Sequence, residues 1–129
     1  MSSEILHEAP ELLSEETKNM HRAIASLREE LDAVDWYQQR AEGCTDNELR
    51  AVLLHNKNEE IEHAMMVLEW IRRHSDVFDT NAKTYLRSSG PITAIETRTT
   101  VQREDLGRGV EAGAEGAQSL GIGSLKAGA

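Results

Sequence analysis

Glu60 and His63, within the stretch "HNKNEEIEHAMM" at residues 55–66, have the types and spacing of a metal-ligand pair. On an α-helix, a glutamate at i and a histidine at i+3 sit one turn apart on the same face, so both reach a single ion. This Glu-x-x-His unit is the one used in carboxylate-bridged metal sites of four-helix bundles. Leu49, Val52, Leu53, Asn56, Glu60, His63, Val67, Trp70 and Ile71 recur at helical spacing, which sets both groups inside an apolar stripe. A carboxylate there carries a desolvation penalty on the order of several kcal/mol unless a cation or a metal compensates it.

A further carboxylate on a second helix would complete a ligand set. Glu30 stands at the edge of another apolar stripe, with Ala23, Leu27, Val34 and Tyr37 at helical spacings around it. Four-helix di-iron proteins draw one Glu from each of two helices and one Glu-x-x-His from each of the other two. This chain holds half of that inventory, and a second copy related by a two-fold axis supplies the rest. Carboxylates with one imidazole suit iron, manganese or zinc more than copper. Two irons held in this way allow Fe(II) to be oxidised by O2, each metal giving one electron.

Other residues near these positions have two readings each. Glu29, Asp32 and Trp36 lie off the stripe, as a solvated face or as an ion-gathering site beside the metal. Asp35 reads as solvated surface. Tyr37, two turns after Glu30, is a core aromatic or a hydroxyl that serves the metal ligands. His55 and Glu59 flank the site on its own helix, Met66 is expected to be more buried than Met65, and His7, His21 and His74 receive no role.

The elements that position these groups are helices, and the fold class is all-α. Met20, Ile24, Leu27, Leu31 and Val34 recur at spacings of one helical turn, predicting a first helix over about residues 11–42. "GCT" breaks it, and "TDNE" reads as a capping box of Thr45 and Glu48 that opens a second helix, ended at "RRHSD". The two form an antiparallel hairpin. "DTNAKTYLRSSGP" predicts a short third helix stopped at Gly90–Pro91. Most of the nine glycines lie beyond residue 100, so residues 1–96 are expected as one helical half-bundle domain and 97–118 as a flexible linker. Two long helices and one short one cannot cover both stripes, so the chain is expected to self-associate.

The net charge of −9 argues against nucleic acid as a partner and favours cations. All of the acidic excess falls within Met1–Glu96. One cysteine, no apolar segment near the roughly 20 residues of a membrane span, and a start without a basic or apolar leader lead to the expectation of a cytoplasmic protein with no membrane partner.

Four stretches, "EELDAVDWY", "HNKNEEIEHAMMVLEWIRR", "TYL…GPITAIE" and the closing "SLGIGSLK", together resemble the encapsulated ferritins, cargo proteins of encapsulin nanocompartments. The resemblance spans about residues 10–96 and the final motif. It implies a ferritin-like hairpin that forms homodimers and then a ring-shaped decamer, with a di-iron ferroxidase centre at the dimer interface. Glu30, Glu60 and His63 from two chains would hold two irons per interface, Tyr37 would lie close by, and Glu29, Asp32 and Trp36 would gather ions. Asp32 stands where the family more often has Glu. The peptide Ser119, Leu120, Gly121, Ile122, Gly123, Ser124, Leu125 and Lys126, within residues 119–129, would dock to the shell, so the protein would work inside the nanocompartment and supply iron for storage there. The residues leave two alternatives: a rubrerythrin-type di-iron peroxidase, disfavoured because no Cys-rich electron donor is present, and a non-catalytic dimer held by metal.

Overall fold

The computed structural model describes residues 5–112, and all regular structure among them is helical. A 3₁₀ turn at Pro10–Leu12 leads into α1 (Glu15–Gly43), followed by α2 (Asn47–Arg73), α3 (Asp76–Tyr85) and α4 (Ile92–Ala112). The chain divides between His74 and Ser75 into two units. The 119–126 motif expected to dock to a shell lies outside the described residues.

The first unit is the α1–α2 hairpin. Ser14 caps α1, its hydroxyl accepting from the Thr17 backbone N–H at 3.1 Å, with Glu15 and Glu16 against the positive end of the helix. The start of α2 differs from the expected capping box. Asp46, not Thr45, is the cap, and its carboxylate accepts from Leu49 N–H at 2.8 Å. A charged acceptor one residue later satisfies the free donor and also complements the helix dipole, so it displaces the hydroxyl.

Arg50 closes the hairpin at the turn. Its guanidinium donates to the carbonyl oxygens of Ala41, at 3.1 Å, and of Cys44, satisfying acceptors that the end of α1 leaves open. Further along, Lys57 Nζ donates to Gln38 Oε1 at 2.8 Å. The bridging partners move back along α1 as they move forward along α2, which makes the helices antiparallel. Ala25, Ala41, Ala64 and Ile71 are the hairpin's buried apolar residues. Small side chains let helix axes approach closely. They also leave the large apolar groups outside: Leu31, Leu49 and Val52 are each about half exposed, and Met65 and Met66 are both exposed, contrary to the expected burial of Met66.

In the second unit, Ser75 caps α3 by accepting from Phe78 N–H at 3.2 Å. The connection to α4 places Gly90 at φ +83°, a left-handed conformation that a side chain would strain although the space beside it is open. Ile95 is buried where α3 and α4 meet. The helix continues through Ala112, so residues 97–112 are helical where composition predicts a flexible linker. Thr97–Leu106 contains neither Gly nor Pro, and that local sequence outweighs the Gly-rich average of the region. No described helix is long and apolar enough to cross a membrane.

The cap assignment is open to test by urea denaturation at fixed protein concentration. Asp46→Ala is expected to cost about 1 kcal/mol, and Thr45→Ala to stay within about 0.5 kcal/mol.

Candidate metal centre

Glu30 sits near the middle of α1, and Glu60 and His63 sit one turn apart on α2. The antiparallel register set by Arg50 and Lys57 brings the three to the same level. His63 Nδ1 lies 3.6 Å from Glu30 Oε2 and 3.5 Å from Glu60 Oε2. One ligand atom from each of the three falls within 4.8 Å of the other two, and among the described residues no other group of three His, Cys, Asp or Glu side chains meets this spacing. All three are partly buried: the side chains of Glu30 and Glu60 keep 25% and 24% of their exposure, and that of His63 keeps 44%.

Electrostatics show what this arrangement lacks. Hydrogen bonding to Glu60 holds the Glu30 carboxyl above the usual carboxylate range, partial burial and the Glu60 charge add to the rise, and His63 works against it. Two carboxylates this close favour sharing a proton. A divalent cation removes the conflict by binding both in their ionised forms, and the imidazole supplies a third donor. Two oxygen donors and one nitrogen suit iron, manganese or zinc.

Glu69, further along α2, shows the alternative resolution. Arg72 donates to its two oxygens at 2.7 and 2.8 Å, Arg73 donates at 2.6 Å, and these bonds hold its carboxyl down to about 2. Glu30 and Glu60 have no such cation nearby among the described ion pairs.

The other sequence candidates are not drawn into the cluster. Glu29 and Asp32 are exposed, and Trp36 is 52% exposed beside a cavity of about 240 Å³ that Gln39 and Arg40 also line. Asp35 accepts from Gln39 Nε2 at 3.0 Å, in keeping with a surface role. Tyr37 is partly buried with the Arg40 guanidinium 5.5 Å from its ring centroid. His55 Nε2 lies 3.4 Å from Glu59 Oε1 on the outer flank of α2. His74 stacks on Trp70, with ring centroids 3.9 Å apart. Arg50 and Lys57, which set the register, were not singled out by the periodicity; a basic residue one turn into a helix after a tight connection was the only available signal.

A family profile described as EncFtn-like matches residues 5–89. The "Encapsulated ferritin-like protein" of Rhodospirillum rubrum is 53% identical over 126 residues, covering 97% of this chain and 90% of that protein. The "Ferritin-like protein" of Thermotoga maritima is 43% identical over 101 residues, covering 78% and 89% respectively. In three dimensions, the crystal structure of a Nitrosomonas europaea protein is similar with a TM-score of 0.66 and 56% identity, covering 67% of this chain and 96% of that one. With a profile match across most of the hairpin and α3, and close identity over nearly the full length, the chain belongs to the EncFtn-like family of ferritin-like proteins.

Proposed function

We propose that the protein is a ferroxidase whose working unit is a homodimer. The observation that carries this reading is the convergence of Glu30, Glu60 and His63 within 4.8 Å. These residues are half of a di-iron ligand set, on a hairpin whose large apolar residues are left uncovered. Burying a half-exposed Leu or Val against a second copy contributes about 1 kcal/mol per side chain. The same pairing brings two clusters together and supplies four carboxylates and two imidazoles for two irons.

Fe(II) is the substrate. Two Fe(II) ions give one electron each to O2, which takes up two protons and leaves as hydrogen peroxide, with two Fe(III) ions as product. Glu30 and Glu60 favour the product because carboxylate oxygens bind the more highly charged ion more strongly. The His63 Nδ1 position fixes the third donor. Glu29, Asp32 and Trp36 gather incoming ions, and Tyr37 lies close to the ligands. Kinship with an encapsulated ferritin-like protein supports a location inside an encapsulin shell in the cytoplasm, with the dimers arranged in a decameric ring and residues 119–126 as the docking peptide.

Replacing Glu60 or His63 by Ala is expected to slow aerobic Fe(II) oxidation on the order of 100-fold, since a direct ligand matters at least as much as the groups that orient one. Oxidation at the wild-type rate in either variant would refute the site, and metal-dependent dimerisation without any redox activity would identify a structural metal instead. A chain lacking residues 119–129 is expected to oxidise Fe(II) normally and to be absent from co-expressed encapsulin shells, as judged by purifying the shells and measuring the cargo they retain.

The Glu30 shift gives a further expectation whose sign can be worked out. A carboxyl with a raised folded-state pKa binds its proton more tightly when folded, so its contribution is fully present below the ordinary carboxylate value of 4.5 and is lost as pH rises through the raised value. At neutral pH the metal-free protein therefore carries this penalty. Glu30→Gln should raise the Tm of the metal-free protein at pH 7 and abolish the rise in Tm that a divalent metal gives the wild type, both read by thermal denaturation.

A further inference from the structure

Met66 is exposed although it stands within one helical turn of His63 on α2. Its fractional exposure is 58%, against 52% for its neighbour Met65, so solvent reaches the two thioethers about equally. Their directions differ. At about 100° per residue, Met66 is some 60° around the helix from His63 and Met65 some 160°. Met66 therefore stands on the cluster's side of α2, and Met65 on the far side.

The surroundings of the two residues differ as well. A cavity of about 410 Å³ opens along the seam of the hairpin, lined by Ala23 and Ser26 of α1 and by Met66, Val67 and Trp70 of α2 among others. Ser26 precedes Glu30 by four residues and Val67 follows His63 by four, so this space begins one turn from the metal ligands. Met65 does not line it. Met65 lines instead a neighbouring cavity of about 500 Å³ to which α1 contributes no residue. The other sulfur side chains among the described residues are farther off: along α1 from Glu30, Met20 is about 15 Å away and Cys44 about 20 Å.

We propose that Met66 is a modification site, where hydrogen peroxide released at the metal cluster oxidises the thioether to the sulfoxide. The inference rests on the ferroxidase reading above, which supplies the oxidant. The Met66 sulfur donates a lone pair to one peroxide oxygen, the O–O bond breaks, and the second oxygen leaves with both protons as water. Sulfur loses two electrons and peroxide gains two. Release within a turn of the thioether gives Met66 a higher effective concentration of peroxide than Met65 meets from solution. The sulfoxide is polar, and methionine sulfoxide reductases reverse it. Repeated turnover thus makes the cavity beside the cluster more polar without touching a metal ligand.

The test follows Fe(II) oxidation by the full chain in air and then locates added oxygen by fragmentation mass spectrometry. Sulfoxide is expected several-fold more at Met66 than at Met65 after turnover. Hydrogen peroxide added to the metal-free chain should modify the two about alike, in keeping with their similar exposure. Met66→Leu should oxidise Fe(II) at the wild-type rate and lose the turnover-dependent gain of one oxygen, while Met65→Leu keeps it. Equal modification of the two residues during turnover, or Fe(II) oxidation with peroxide detected and Met66 unmodified, would overturn the proposal. So would a Met66 preference that survives in Glu60→Ala, because the oxidant would then come from iron bound elsewhere. If the wild-type chain oxidises no Fe(II) at all, the ferroxidase reading itself has failed and this inference falls with it.

Discussion

Two carboxylates with ligand atoms within 4.8 Å of each other repel when both are charged in a partly buried position, and a cation between them relieves that repulsion. This constraint governs the rest of the hairpin. Elsewhere on α2 a single, more exposed carboxylate, Glu69, has its charge matched internally by Arg72 and Arg73. Around Glu30 and Glu60 the only basic partner among the described residues is His63, whose imidazole is also a competent metal donor. An arginine there would satisfy the pair permanently; an imidazole leaves it ready for a metal.

Holding that conflict in place takes structural support at some distance from it. Arg50 ties the start of α2 to the end of α1, and Lys57 bonds Gln38 midway to the cluster. A shift of one residue along either helix would turn Glu60 or Glu30 away by about 100° and dissolve the cluster. Three of the four buried residues of the hairpin are alanines, and Ile71 is the fourth.

How much of this was legible in sequence follows from the range of each interaction. The two long helices and the Glu-x-x-His pair could be read because they rest on neighbours within a turn, and Glu30 because the hairpin topology followed from them. α3 was legible from its boundaries. The cap of α2 was misplaced by one residue because Thr45 and Asp46 are both competent acceptors and only the backbone path decides between them. The stretch 97–112 was misread because a regional glycine count was allowed to stand for local propensity.

The division of charge along α1 bears on how the chain can associate. Its first half is free of carboxylates from Thr17 to Arg28, and the acidic residues begin at Glu29 and Glu30. A second copy that brought its own Glu30 and Glu60 against the first would place four carboxylates together. That juxtaposition is unfavourable until cations enter, while the half-exposed Leu31, Leu49 and Val52 favour it throughout. In the proposed dimer the apolar term would supply affinity without selecting for metal, and the carboxylates would make closure depend on it. Association and ion binding are then linked, each strengthening the other by the same free energy. If the proposed homodimer is the working unit, an interface built in this way would close only where Fe(II) is present, and the unit proposed to oxidise that ion would be assembled by it.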